Sequence, residues 1–561
     1  MAVDDLPWQR SRLLSYARWT CSQRVARLRG ALGLAALLMA GPVAAPATPA
    51  EANADAHADR QETTVTLLFT NDLESAYDPI PAYWREDLET IGGFPQLATL
   101  IEQVRAAEPN VFLFDAGDIF TGTLARETRG EVSFELMLTM GYDAMVIGNH
   151  EFEYGWEVFA RQKQRVPFPV LGANLRYRDS GRPYARPSVI LERNGVRIGV
   201  IGVLGQDAAT ALIPSNSAGL VVEDPVPVVR QLVGKLRQQV DLIVVLTHQG
   251  MTEPMQTNDE ADPRVQRGNA ENLALAGAVP GIDVIFAGHT DAGTREPLVH
   301  PETSTLIMQT FGQGQHLGYL QLALDLRTGR RLSHSGRLLE VDGTGLDPHP
   351  RVAAKLTAYR SRFPELYRVL GQSQAYLSRR YYEESDLGNL FADIVRQTTA
   401  TQIGLMPSGA LRKDLPRGAV RRVDLLDAFP FEDRLARVTV TGTLLREIIE
   451  QGLTLERGLL QVSGLRVTFD PGRPAGQRVL AVTVGEEPLD DQRRYTVGTL
   501  EILSEGGDAY DQFRRAEDRT LLERTFAAAL EGFVIEASPL QRPAAERYQT
   551  LSEADRPAER R

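Results

Sequence analysis

The sequence predicts an α/β protein built from two large domains. Three observations carry this: a length of 561 residues, an alternation of short β-branched runs with helix-like stretches, and a charge-mixed helical segment that divides the alternation in two. A chain of this length can bury more than one sizeable core. With 43% hydrophobic and 24% charged residues, its composition is that of a globular protein. It excludes a coiled coil, a collagen-like chain and a largely disordered one.

The N-terminus reads as an export signal. Arg10, Arg12, Arg18, Arg24, Arg27 and Arg29 precede a short apolar run at residues 31–40, and small residues with proline follow from Gly41 to Ala50. A basic n-region, an apolar h-region and a small-residue cleavage zone place a cleaved signal peptide at residues 1–47. The alternative is a single membrane anchor. That needs about 20 apolar residues, and the run supplies only about 10 to 15. After cleavage no stable membrane span is expected, and the protein is periplasmic or secreted. Cys21, the only cysteine, leaves with the signal, so thiolate chemistry and a disulfide framework are excluded for the mature chain.

Residues 51–62 read as a solvated linker. From Thr63 the expected strands are Val65–Thr70, Val111–Asp115, Ala144–Ile147, Val170–Ala173, Ile198–Val203, Leu242–Thr247 and Val284–Ala287. Each is a short apolar run bounded by polar residues, the pattern of a buried strand. Helical segments at Pro95–Ala107, Val132–Met140 and Pro227–Gln239 lie between them, which implies a layered α/β domain over residues 63–345. A linker helix is expected within 346–369. A second α/β domain at 370–545 opens with a helix start at Ser385. It contains helices Leu387–Thr398 and Leu444–Glu450, and strands Ala436–Thr441, Leu465–Phe469 and Arg494–Gly498. The Arg-, Glu-, Ala- and Pro-rich end, the 546–561 tail above all, is expected to fray.

Charge narrows the range of partners. Lys and Arg total 61 against 73 Asp and Glu, a net charge of −12. Such a chain has no general pull toward a nucleic acid polymer or an anionic membrane, so any grip on an anion is local.

The chemistry gathers where the strands end. Strand Val65–Thr70 runs into Asn71-Asp72-Leu73-Glu74, and Val111–Phe114 into Asp115-Ala116-Gly117-Asp118. Ala144–Ile147 runs into Gly148-Asn149-His150-Glu151-Phe152-Glu153. Leu242–Leu246 ends in Thr247-His248-Gln249-Gly250, and Val284–Phe286 in Ala287-Gly288-His289-Thr290-Asp291. A lone Asp after a strand is usually a helix cap or turn residue, and a lone His is usually a satisfied polar residue. Here five loops carry acid, amide or imidazole groups, expected along one edge of the sheet, and three of the chain's eight histidines are among them. That coincidence points to a metal site.

These loops resemble the D-x-[HE], G-D, G-N-H-E, H-x-G and G-H-x-[HD] motifs of the calcineurin-like metallophosphoesterases. The form T-N-D, F-D-A-G-D and G-N-H-E-F-x-Y-G is similar to the exported 5′-nucleotidase/UDP-sugar hydrolase branch. Glu384 to Leu390, Ser408 to Arg412, Pro430-Phe431, Val440 to Gly442 and Gly506 to Tyr510 resemble that branch's C-terminal substrate domain. The resemblance covers residues 63–540. It implies a layered β-sandwich flanked by helices, followed by a 5′-nucleotidase-type α/β substrate domain.

The resemblance also implies two divalent metal ions. Asp72, Glu74, Asp118 and Asp291 would hold the first, and Asp118, Asn149, His248 and His289 the second, with Asp118 shared. His150 would be the catalytic histidine and Glu153 its orienting carboxylate, at a position where Asp is usual. Two imidazoles of the usual pattern are replaced, by Glu74 and Asp291, and both changes fall on the first ion. An all-oxygen set suits manganese or magnesium, while the second site suits manganese or zinc. In the second domain Arg412 and Asp508 match the substrate-binding set. The two aromatic positions that clamp a base would align with Leu459 and Ile502, so base preference stays open. The implied activity is hydrolysis of a small phosphorylated substrate, a nucleotide among the candidates, by in-line attack of water. Hydrolysis of a nucleotide sugar, a cyclic nucleotide or another anion ester is the competing enzymatic reading. A non-catalytic solute-binding module is the third.

Overall fold

The computed structural model describes residues 62–550 apart from 83–84, 251–267 and 456. The expected export signal, Cys21 and the last residues of the tail lie outside the described residues. Two six-stranded sheets face each other in the first half of the chain. One has the order Arg330–Glu340, His316–Asp325, Glu62–Thr70, Val111–Asp115, Ala144–Val146, Val170–Leu171. The other runs Leu298–Val299, Leu306–Met308, Val284–Gly288, Leu242–His248, Val196–Leu204, Ser188–Arg193.

Alternation along each strand builds the layers, because successive side chains point to opposite faces. Val65, Leu67 and Phe69, with Phe112 and Phe114, meet Val200, Val244, Leu246 and Phe286 between the sheets. Phe69 and Phe286 stack there at 4.2 Å. The intervening residues face outward. Leu68, Leu113 and Met145 pack under helices Phe94–Ala107 and Glu131–Met140, and Ile243, Val245 and Ile285 under Pro225–Leu236 and Ala270–Ala278. Both faces of each central strand are therefore buried, which is why these strands read as continuous apolar runs.

The segment expected as a linker helix is a helix at Pro350–Ser361. It is not a free connector: Val352, Leu356 and Tyr359 are buried in the outer layer of the first sheet. Beyond it, a five-stranded sheet (Leu460–Ser463, Ile403–Pro407, Arg494–Leu500, Arg434–Thr441, Glu517–Thr525) carries separate cores on its two faces. Helix Asp386–Thr399 begins where Ser385 accepts a hydrogen bond from the Gly388 N–H, as a Ser cap should.

The end of the chain departs from expectation. Tyr548–Thr550 is a strand parallel to Leu465–Phe469. The buried Arg547 beside it donates to the carbonyls of Val462 at 2.6 Å and Asn389 at 3.2 Å and pairs with Asp393 at 2.8 Å. Composition alone suggested fraying, but a guanidinium held by tertiary acceptors fixes the described start of the tail, up to Thr550. Arg547→Ala removes the cation that pairs with Asp393, which keeps Ser463, and the donor to two carbonyls, and should destabilise the protein by about 3 kcal/mol. Urea unfolding measures this, and an unchanged midpoint would show that the terminal strand adds nothing.

Candidate active site

The parallel registers Thr70 with Asp115 and His248 with Gly288 bring the strand ends level. Asp72, Glu74, Asp118, Asn149, His150 and Glu153 emerge from the first sheet, and His248, His289 and Asp291 from the second. One sheet edge was expected to carry all five loops. The two sheets of the sandwich share them instead, so the site lies across the interlayer core.

Backbone geometry marks the same residues. Asp72, Glu74, Asp118, His289 and Asp291 all adopt positive φ, between 45° and 90°. Left-handed non-glycine residues cost of order 1–3 kcal/mol each and cluster where the surrounding structure over-determines them. Two glycines permit the crowding. A methyl at Gly148 would sit 2.2 Å from Asp118 Oδ1, and one at Gly288 2.6 Å from the Ala116 carbonyl.

Among the described residues, Asp118, His248 and His289 offer ligand atoms within 4.8 Å of one another. Asn149 joins them, its Oδ1 3.1 Å from His248 Nε2. His248 Nδ1 donates to the Ala116 carbonyl at 2.8 Å, so Nε2 is the nitrogen turned inward, 3.0 Å from Asp118 Oδ2. The expected ligands of the first ion are more loosely gathered. Asp72 accepts from Asn71 Nδ2 and from the His289 N–H. Glu74 Oε2 accepts from Gln313 Nε2 at 3.4 Å. Asp291 Oδ1 is buried with no hydrogen-bond partner among the described residues.

Electrostatics couples the two groups. Burial raises the Asp72 carboxyl to about 7; His248 opposes the rise, and Asp118 and Glu74 add to it. Burial, then the charges of Asp72, Glu74 and Asp118, hold Asp291 well above the usual range against Arg379. Burial also acts on Asp118, but His248 and His150 outweigh it and hold that carboxyl low. Buried carboxylates that repel one another and retain an orphaned oxygen fit divalent cations, because a cation reverses each of these penalties.

His150 faces this centre. Its Nδ1 lies 2.5 Å from Glu153 Oε1, which turns Nε2 inward, 3.9 Å from both Glu74 Oε1 and Asp118 Oδ2. The sequence reading passed over Glu151. Its buried carboxylate accepts from the N–H groups of Gly148 at 2.6 Å, Ile119 at 2.9 Å and Asp118 at 3.0 Å, stapling the Asp118 and Asn149 loops together. Its place inside G-N-H-E was the available signal.

In the second domain, Arg412 and Asp508 flank one spot. Arg412 Nη1 donates to the Gly409 carbonyl at 3.4 Å, and a methyl at Gly409 would lie 3.9 Å from Asp508 Oδ2 and 3.8 Å from Tyr381 Oη. Leu459, aligned above with an aromatic clamp position, is only 3% exposed and packs into the domain core. It cannot face a ligand. The exposed aromatic beside Arg412 is Phe431, 37% exposed, with its ring centroid 6.0 Å from the guanidinium carbon. Ile502 is 45% exposed. The two domains meet where Asp427 accepts from the Thr123 N–H at 2.8 Å. Arg379, near Tyr381 in sequence, reaches Asp291 electrostatically.

Burial lowers the proton affinity of His150, but Asp118 and Glu153 reverse this and raise it to about 10. The ring is therefore protonated at neutral pH and loses its proton as pH rises. Glu153→Gln removes one stabilising charge, so the midpoint should move to lower pH by about one unit. Histidine NMR titration of the metal-free chain checks this, and an unmoved midpoint would show that Glu153 does not act on the ring.

Comparison with known proteins agrees with this geometry. Residues 65–292 match the calcineurin-like phosphoesterase family, and residues 366–515 the 5′-nucleotidase C-terminal domain. A 5′-nucleotidase of Diplobatis ommata is 26% identical over 508 residues, covering 80% of this chain and 83% of its own. The crystal structure of a 5′-nucleotidase precursor from Thermus thermophilus superposes with a TM-score of 0.70 at 27% identity, covering 88% of this chain and all of its own. A Thermus thermophilus sulfate thiohydrolase shares the fold, with a TM-score of 0.66 at 22% identity over 88% of this chain and 98% of its own. The chain thus belongs to the calcineurin-like metallophosphoesterases, in the branch that carries a 5′-nucleotidase C-terminal domain, and is a metal-dependent phosphoester hydrolase.

Proposed function

We propose that the chain is an exported, dinuclear-metal phosphomonoesterase of the 5′-nucleotidase type. The observation that carries this is the convergence of four carboxylates, an amide and two imidazoles at one edge of the sandwich, five of the seven on residues with left-handed backbone. Asp72, Glu74, Asp118 and Asp291 would hold one ion, and Asp118, Asn149, His248 and His289 the other. Two divalent ions supply a water nucleophile at neutral pH and neutralise charge on the phosphoryl oxygens.

The chain's own residues do the rest. His150 donates a hydrogen bond from Nε2 toward the phosphoryl group and protonates the leaving oxygen. Glu153 holds its tautomer and favours its charged form. Arg412, Asp508, Tyr381 and the face of Phe431 bind the leaving group. A single exposed aromatic face, with Ile502 in the second clamp position, supports a nucleoside less tightly held than a two-sided stack would allow, since each base–aromatic contact contributes about 1–3 kcal/mol. The basic and apolar stretch before residue 47 supports export to the periplasm or outside. No helix among the described residues is long and apolar enough to cross a membrane.

The deciding experiment is a product screen of the metal-loaded protein against nucleotides, nucleotide sugars and sugar phosphates, with a chelator control. Phosphate release from nucleoside monophosphates that stops with chelator is expected. No turnover with any divalent ion would leave the solute-binding reading. His150→Ala should lower kcat by about 10²–10⁴ at unchanged metal content, and loss of metal in that variant would give His150 a ligand's role. The metals are read separately. The all-oxygen site should be exchangeable and most active with manganese or magnesium, and Glu74→His with Asp291→His should shift preference toward zinc. Tight uptake of two zinc ions by the unaltered protein with maximal activity would show the ligand-field argument to be wrong.

A further inference from the structure

A metal-bound imidazole offers one ring nitrogen to the ion, and the other is normally fixed by a hydrogen-bond acceptor that sets the tautomer and the ring's orientation. For His248 the acceptor is the Ala116 carbonyl. For His289 the candidate acceptor is a side chain from a segment that neither the motifs nor the comparisons point to. Helix Gln206–Thr210 follows strand Val196–Leu204, the neighbour of the His248 strand. Its second residue, Asp207, places Oδ2 3.5 Å from His289 Nε2. The buried Nε2 atom has no hydrogen bond within ordinary limits among the described residues, and the Asp207 carboxylate at 3.5 Å is the acceptor it faces. The loop is anchored to the site, because the Gly205 N–H donates to the His248 carbonyl at 2.8 Å. A ring nitrogen that donates to a carboxylate has no lone pair left for a cation.

We propose that Asp207 is a positioning residue: it accepts from His289 Nε2–H and leaves Nδ1 as the nitrogen offered to the ion shared with Asp118, Asn149 and His248. The carboxylate also makes the ring a stronger donor. This rests on the proposed second metal site.

The test uses the full chain labelled with 15N-histidine, stripped of metal and titrated with zinc, which is diamagnetic and binds imidazole well. In the unaltered protein the His289 signals, assigned by their loss in His289→Ala, should report a protonated Nε2 and a metal-bound Nδ1. Asp207→Ala should weaken zinc binding at the histidine-containing site about 10- to 100-fold and broaden the Nε2–H signal, while the melting temperature of the metal-free protein stays put. Asp207→Asn keeps an acceptor but loses the charge, so its affinity should fall between the two; it decides the matter alone if the alanine chain does not fold. Unchanged zinc affinity in these variants overturns the proposal, as does a zinc-bound Nε2 in the unaltered chain. Failure of the underlying metal-site reading looks different, because the unaltered protein would then take up no zinc.

Discussion

Asp72, Glu74, Asp118 and Asp291 place four carboxyl groups at one sandwich edge, and the cost of ionising them together is the constraint around which the site is organised. At an effective dielectric of 20, two unit charges 4 Å apart repel by about 4 kcal/mol, a large fraction of a domain's net stability. The upward pull on the Asp72 and Asp291 carboxyls comes first from desolvation, with that repulsion added to it. Asp118 escapes it because two imidazoles face it. Its low proton affinity suits Asp118 to the shared-ligand role proposed for it.

Holding such a cluster requires rigid backbone. The sandwich core, with Phe69 stacked on Phe286, fixes the strand ends from which every loop departs. Glu151 then ties two loops through three N–H donors, so its buried carboxylate sets where Asp118 and Asn149 stand. Bonds to the cluster's own backbone, such as His289 N–H to Asp72, offset the cost of the left-handed residues. Pre-organisation of this kind lets charge develop in a transition state without reorganising the protein.

The second domain supplies what the sandwich lacks. Phe431, Tyr381, Arg412 and Asp508 are gathered on that domain, apart from the loops proposed to hold the ions. The bond from Asp427 to Thr123 joins the two halves near helix Gly122–Thr128.

Local pattern sufficed for much of this. The strand Val111–Asp115 and the helix within Phe94–Ala107 follow from periodicity, and the ligand types from polar residues placed directly after buried strands. Those signals are short-range, because burial and turn chemistry act over a few residues. Three features needed the tertiary structure. The division of the loops between two sheets depends on strand order, which no local pattern encodes. Arg547 reads as a surface residue until Val462, Asn389 and Asp393, all distant in sequence, saturate its guanidinium. Leu459 and Phe431 differ in exposure only because the domain core closes over one and leaves the other beside Arg412. Sequence alone determined which side chains could bind and react; the packing of distant segments decided which of them face one another, because electrostatics and hydrogen bonding act through space and not along the chain.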